Sequence, residues 1–241
     1  TRKWRSHEDS SSPTASLESI FLTAIIDVYE GHYVMTADVL NVFIQTNISE
    51  TCDGKERVMM KITGILVDLL VEMAPNVYGL YVVFENDKKV IYVQVIMALY
   101  GMLVAALLWY KRFRGDLEKI RFEFNSYDPC IANQMVNKKQ HMVCFHMNDS
   151  MSSHIDKSVN DDFLKWLNKM YRKYGAVLAT CGKKHEYLEI MFDISEHGKV
   201  MVDMIEYVKS MLDEFSIKFK HADVKSTHAA ENILAESNTK V

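Results

Sequence analysis

The sequence predicts an α+β fold built on an antiparallel sheet. Three observations carry this. β-branched and aromatic runs flank short polar turns, as around Asn86-Asp87, Asn137-Lys138-Lys139-Gln140 and Asn148-Asp149, which is the pattern of β-hairpins. Near residues 17–28, 102–122, 161–174 and 204–215, apolar side chains recur at three- and four-residue spacing, the pattern of amphipathic helices. These two patterns alternate along 241 residues that hold only three prolines and nine glycines, which argues against a linker-rich or low-complexity chain.

Residues 1–13 read as a polar, Ser-rich lead, 14–215 as the folded core and 216–241 as a polar tail. Leu17, Ile20, Phe21, Ala24, Ile25 and Val28 share one helical face, with Thr14 or Ser16 as cap and Gly31 as stop. A short strand over 33–37 then ends at Asp38, and 39–45 turns into a short helical segment. Residues 49–56 are a polar connection, 58–62 a strand and 65–73 an apolar helix. Strands over 80–84 and 90–95 flank the Asn86-Asp87 turn, and a helix over 102–122 carries Leu108, Trp109, Phe113 and Leu117. Strands over 130–136 and 141–147 form the next hairpin. The chain then turns at Asn148-Asp149 and runs out along Ser150-Met151. Residues 161–174 place Phe163, Trp166, Leu167 and Met170 on one helical face. Strands over 187–193 and 199–202 form a hairpin around Glu196-His197-Gly198, and 204–215 is a last helix.

Bulk properties narrow the function classes. A net charge of −4 lacks the basic footprint usual for a simple nucleic-acid binder. The four cysteines, Cys52, Cys130, Cys144 and Cys181, contain no Cys-x-x-Cys pair, so neither a zinc knuckle nor a disulfide framework is indicated. Reduced thiols and an intracellular location, cytoplasmic or nuclear, are expected. The lead Thr1-Arg2-Lys3-Trp4-Arg5 has no apolar stretch behind it, unlike a signal peptide, and no initiator Met, so the expectation is a chain that begins inside a longer protein. The uncharged run over 90–110 reaches the length of a membrane span. Its β-branched start and the Tyr100-Gly101 interruption favour a strand, a turn and the start of a helix instead, with no membrane as partner.

The stretch with most chemical content is Cys144-Phe145-His146-Met147-Asn148-Asp149-Ser150-Met151. Carboxylates at neighbouring strand ends supply the hard oxygen ligands that Mg²⁺ requires. Asp38 and Asp149 are the candidates, with Asn148 beside them; the competing reading is two aspartates that only cap or solvate turns. His141, Cys144 and His146 do not make a zinc set, because on a strand 144 and 146 face one way and 141 the other. Ser150 and His154 have no orienting acid at a recognisable spacing. Lys111, Arg112 and Arg114 read as a solvated helix face rather than a phosphate contact.

Several blocks, in order, resemble the copia-type retrotransposon reverse transcriptase. Met35-Thr36-Ala37-Asp38-Val39-Leu40-Asn41-Val42-Phe43-Ile44 resembles its acidic strand end followed by Ala-Phe-Leu. Leu99-Tyr100-Gly101 with Leu108-Trp109-Tyr110, and Tyr127-Asp128-Pro129-Cys130, resemble its Leu-Tyr-Gly, Leu-Trp-Tyr and Asp-Pro-Cys blocks. Phe145-His146-Met147-Asn148-Asp149 falls at its Tyr-Val-Asp-Asp and Glu186-Tyr187-Leu188-Glu189 at its Tyr-Leu-Gly. Order and spacing agree from about residue 12 to 215.

The resemblance implies a polymerase palm, an antiparallel sheet packed on helices, with part of the fingers. It implies template-directed deoxynucleotidyl transfer with a two-metal Mg²⁺ site at Asp38 and Asp149 and with Asn148 at the third catalytic position. Phe43, Tyr100 and Gly101 would meet the nucleotide, the Phe43 ring lying under its sugar and excluding a 2′-hydroxyl. The implied partners are a template-primer, deoxynucleotides and the missing polymerase, RNase H or integrase segments of a parent polyprotein. Three departures accompany it. Asn148 replaces a metal-binding Asp by a neutral amide, Leu103 stands where the family has a basic residue, and Glu189 replaces the Gly of Tyr-Leu-Gly. The expectation is weak or lost activity, and the alternative is an inactive retroelement remnant that at most binds nucleic acid or a protein.

Overall fold

The computed structural model describes residues 11–48, 58–102 and 104–214. These fall into two compact units divided between Val202 and Asp203. The lead over 1–10, the connection over 49–57, Leu103 and the tail over 215–241 lie outside the described residues. The architecture is α+β with antiparallel sheets, as the alternation of hairpins and helices predicts.

The principal sheet has six strands: β1 (Tyr33–Val39), β5 (Glu123–Phe124), β6 (Ile131–Val136), β7 (Lys139–His146), β8 (Asp149–His154) and β9 (Val177–Gly182). Their order is β5-β6-β7-β8-β1-β9, and every pairing is antiparallel. The sheet is covered on both faces, which is why β7 and β8 are almost continuously buried rather than alternating.

On one face lie α4 (Ala105–Lys119) and α5 (Lys157–Tyr171). Met35, Ala37 and Val39 of β1 and Val143 and Phe145 of β7 pack there against Trp109, Phe113, Phe163, Leu167 and Tyr171. Trp109 stacks on Phe113 at 5.5 Å and meets Tyr171 edge-on at 5.2 Å. Truncating one of these buried rings to Ala costs about 3–5 kcal/mol. On the other face lies α1 (Leu17–Glu30) with a hairpin of β10 (Lys184–Tyr187) and β11 (Ile190–Asp193). Val34, Met142, Cys144 and Met151 pack there against Ile20, Ala24, Val28, Tyr187 and Phe192. The two-residue period of each strand thus feeds two separate cores.

Helix α1 starts where Ser16 Oγ accepts from Ser19 N and stops at Gly31, whose φ of 73° suits the left-handed C-cap. Helix α5 begins four residues before the expected 161, because Asp156 caps it by accepting from Ser158 N at 2.9 Å. It ends in a 3₁₀ turn, Arg172–Tyr174, inside the expected helix. Helix α4 is shorter at both ends than the expected 102–122.

A smaller sheet orders β2 (Met59–Thr63), β4 (Lys88–Gln94) and β3 (Val82–Glu85) as β2-β4-β3, with α2 (Ile65–Met73) and α3 (Pro75–Tyr78) beside it in sequence. The β3–β4 turn falls at Asn86-Asp87 with φ of 46° and 59°, the type I′ geometry. The expected strand over 80–84 starts later, since Gly79–Tyr81 form a 3₁₀ turn. The uncharged run over 90–110 divides into the end of β4, a connection with Gly101 at φ 85°, and the start of α4. Among the described residues no helix is long and apolar enough to cross a membrane.

Two expectations fail in the last third. The expected strand over 187–193 is broken by a turn at Leu188-Glu189, both at positive φ (52° and 62°), so it forms the β10–β11 hairpin on its own. Met201–Asp203 is the third strand of that sheet, β12, rather than the only partner. Strand β9, to which the sequence pattern assigns nothing, pairs with β1 from Val34 to Val39. In the second unit, α6 (Ile205–Glu214) exposes Ile205, Val208 and Leu212 along one stripe.

Candidate functional site

The site forms because β1 and β8 run antiparallel in a register that sets Asp38 directly opposite Asp149. Cross-strand partners share a face, so both carboxylates project to the α1 side of the sheet, away from α4 and α5. The β7–β8 turn that delivers Asp149 consists of Met147 and Asn148. Met147 has φ 52°, at the first central position, where a type II′ turn normally takes glycine. Two contacts hold this uncommon backbone. The buried Trp109 donates its indole N–H to the Met147 carbonyl at 2.7 Å, and Val39 N donates to the Asn148 carbonyl at 3.0 Å. The Leu108-Trp109-Tyr110 block therefore anchors the Met147-Asn148 turn, which lies one residue earlier than the expected Asn148-Asp149 turn and leaves Asp149 as the first residue of β8.

Asn148 does not stand as a bystander. Its Nδ2 donates to Asp38 Oδ1 at 2.6 Å. The amide gives the carboxylate a hydrogen bond where an aspartate would give it a like charge.

Asp38 and Asp149 open into a cavity of about 640 Å³ walled by Thr36 and Thr180 of the sheet and by Glu186 and Glu189 of the β10–β11 hairpin. Burial pushes the Asp149 carboxyl up to about 6, and the charges of Asp38 and Glu189 push in the same direction. Glu189 enters the cavity wall because of its position in the turn. It occupies the second residue of a type I′ pair, at φ 62°, where Gly costs least. The sequence marks Glu189 only as a departure from Tyr-Leu-Gly; its place in the cavity, like those of Glu186 and Thr180, depends on β9 and the β10–β11 hairpin.

The predicted site residues fall into two groups. Asp38, Asn148 and Asp149 come together. Phe43 and Tyr100 meet each other, with ring centroids 4.6 Å apart in an edge-on arrangement, and neither is among the residues lining the carboxylate cavity. Phe43 is only 6% exposed and belongs to the α4–α5 core, whereas Tyr100 is 67% exposed beside the Gly101 turn.

His141, Cys144 and His146 do not converge. His141 bonds Ser152 Oγ at 2.8 Å on the α5 side, while Cys144 lies in the α1 core with its thiol pushed up to about 12 by burial. Ser150 donates to the Ala37 carbonyl and His154 Nδ1 accepts from Asp156 N, so the two form no dyad. Arg112 pairs with Asp116 and lies over the Tyr171 ring, and Arg114 pairs with Glu118.

Asp38 and Asp149 suit a Mg²⁺ ion of the kind held by one or two carboxylates, water and substrate phosphates. Asn148 turns its N–H, not its carbonyl, toward them. Among the described residues no three His, Cys, Asp or Glu side chains form a group able to enclose a metal ion by themselves. No protein-family model and no curated protein matches this chain.

Proposed function

We propose that the chain is a reverse-transcriptase-like domain of copia type, and that its cavity is a weakened site for template-directed deoxynucleotidyl transfer. The observation that carries this is the facing pair, Asp38 and Asp149, at the ends of adjacent antiparallel strands and open to one cavity. In this reading the six-stranded sheet with α4 and α5 behind it is the palm, and the β2-β4-β3 sheet is part of the fingers. Asp38 and Asp149 hold Mg²⁺, which would supply activation of the primer hydroxyl and neutralisation of phosphate charge. Asn148 keeps Asp38 oriented but contributes no charge. Asp149, held near 6, gives up its proton less readily than an ordinary aspartate, which weakens the grip on a cation at mildly acidic pH. By the resemblance Phe43, Tyr100 and Gly101 would meet the deoxynucleotide, but Phe43 is buried in the α4–α5 core and neither ring lines the carboxylate cavity, so the proposal rests on the two aspartates alone.

A second reading is favoured by the Asn148–Asp38 hydrogen bond. It lets the carboxylates sit together with no cation, as a catalytically inactive remnant would require. Primer extension on RNA and DNA templates separates the two. Weak, Mg²⁺-dependent extension that improves in Asn148→Asp and vanishes in Asp38→Ala supports the polymerase reading. Absence of extension in every variant, with no Mg²⁺ binding sensitive to Asp38→Ala, supports the remnant. Robust extension by the parent chain refutes the weakening ascribed to Asn148.

A further inference from the structure

The outer face of α5 carries a feature that the cavity does not explain. Lys165, Lys169, Arg172 and Lys173 follow one another at helical spacing and share one open concavity with Leu164, Asn168 and, at its Lys165 end, the carboxylate of Asp161. Their backbone positions span about 12 Å. Lys165 is 76% exposed and pairs with Asp162 at 2.7 Å. Lys169 and Arg172 have no carboxylate partner among the described residues, and Lys173 lies over the Tyr174 ring at 5.0 Å. The helix dipole favours a cation or two in the last turn. It does not call for a run that starts one turn earlier and continues past the end of the helix into the 3₁₀ turn. The chain as a whole carries a net charge of −4, so this basic stripe is a local concentration against an acidic background.

We propose that this stripe binds the phosphate backbone of a nucleic acid. A linear row of four cations matches a linear row of phosphates, and Arg172 can grip one of them bidentately. Asn168 adds an uncharged amide to the same surface, and the half-buried Tyr174 an aromatic ring beside it. Because α5 packs on the face of the sheet opposite Asp38 and Asp149, this contact is separate from the carboxylate cavity and does not depend on the polymerase reading. Backbone contacts of this kind carry no sequence preference.

The test is fluorescence anisotropy of a short labelled DNA duplex with the full chain, between about 50 and 200 mM salt. The variants are Lys165→Glu/Lys169→Glu/Arg172→Glu and the neutral triple Gln counterpart, with thermal unfolding checked for each. The expected result is binding weakened roughly tenfold or more, with the log–log salt slope reduced by nearly 3 in the Glu variant and nearly as much in the Gln variant. Unchanged affinity and slope in folded variants overturn the proposal. So does binding of a poly-glutamate peptide through these residues without any DNA binding. Failed primer extension with this salt-dependent binding intact refutes only the cavity reading.

Discussion

Replacing Asn148 by aspartate tests whether the Asn148–Asp38 contact is what lets two carboxylates share this cavity. The parent amide donates to Asp38 Oδ1 at 2.6 Å. Asn148→Asp removes a hydrogen bond to a charged acceptor, worth about 1.5–3 kcal/mol. It also sets another carboxylate beside Asp38, whose charge already acts on Asp149. At 4 Å and an effective dielectric of about 20, one such pair repels by about 4 kcal/mol. Proton uptake and rotation toward water limit the total, and the expected net loss near neutral pH is about 2–4 kcal/mol. For a chain of this size that lowers the thermal midpoint by roughly 5–12 °C. The deficit shrinks as pH falls through 6, where Asp149 binds its proton. Millimolar Mg²⁺ narrows it as well, because a third carboxylate raises affinity for the cation in the folded state alone. Differential scanning calorimetry in chelator, in MgCl₂ and in NaCl of equal ionic strength reads all three effects. A variant as stable as the parent in chelator near neutral pH refutes the reasoning. So does an equal response of both proteins to Mg²⁺.

Asp149→Asn removes a carboxyl whose folded pKa of about 6 exceeds its unfolded value, so the folded state binds the proton more tightly and parental stability falls as pH rises from about 4 to 6. The variant gains about 1–2 kcal/mol near neutral pH, after discount for solvent screening, and shows a flatter pH profile in urea unfolding. His32 lies between Asp27 Oδ1 at 3.0 Å and Glu30 Oε2 at 3.2 Å, and the hydrogen bond its ring donates to Asp27 raises its pKa. Its contribution is therefore fully present below the unfolded value of about 6.5 and lost as pH rises through the higher folded value, so urea midpoints of His32→Ala fall further behind the parent under acidic conditions than under alkaline ones. His141 has the opposite sign. Burial holds it down to about 4, the unfolded chain takes up the proton first, and stability is lost as pH falls from about 6.5 toward 4. His141→Phe, which packs against the same Phe122 and Phe163 rings, should remove up to about 3 kcal/mol of that acid sensitivity, read as a shallower decline of the thermal midpoint below pH 6.5.

Much of the fold was legible because local chemistry specified it. Ser16 and Gly31 bracket α1, Asn86-Asp87 closes a type I′ turn, and the apolar spacing of α4 identifies its buried face; on α5 Phe163 and Leu167 are buried as expected, but Met170 is exposed and Tyr171 takes the core position instead. Where the sequence reading failed, local signals were silent. Leu188-Glu189 is a type I′ pair without the Asn or Gly that usually marks one, so two strands read as one. Val177–Gly182 shows no alternation of polar and apolar residues, and as the edge strand next to β1 it needs none. Asp156 caps α5 ahead of the first apolar position, and the helix therefore starts earlier than its periodicity.

The sequence alone determined that Asp38 and the Asn148-Asp149 pair each sit where a strand meets a turn, since β-branched runs and polar turn pairs are encoded within a few residues. The tertiary structure decided that Asp38 faces Asp149, that Asn148 bonds Asp38, and that Phe43 packs with Tyr100 away from the carboxylates. It also decided that Glu189 joins the cavity. These relations depend on strand order and register between segments more than a hundred residues apart, and a two-residue period fixes which face a side chain takes but not which strand it will lie against.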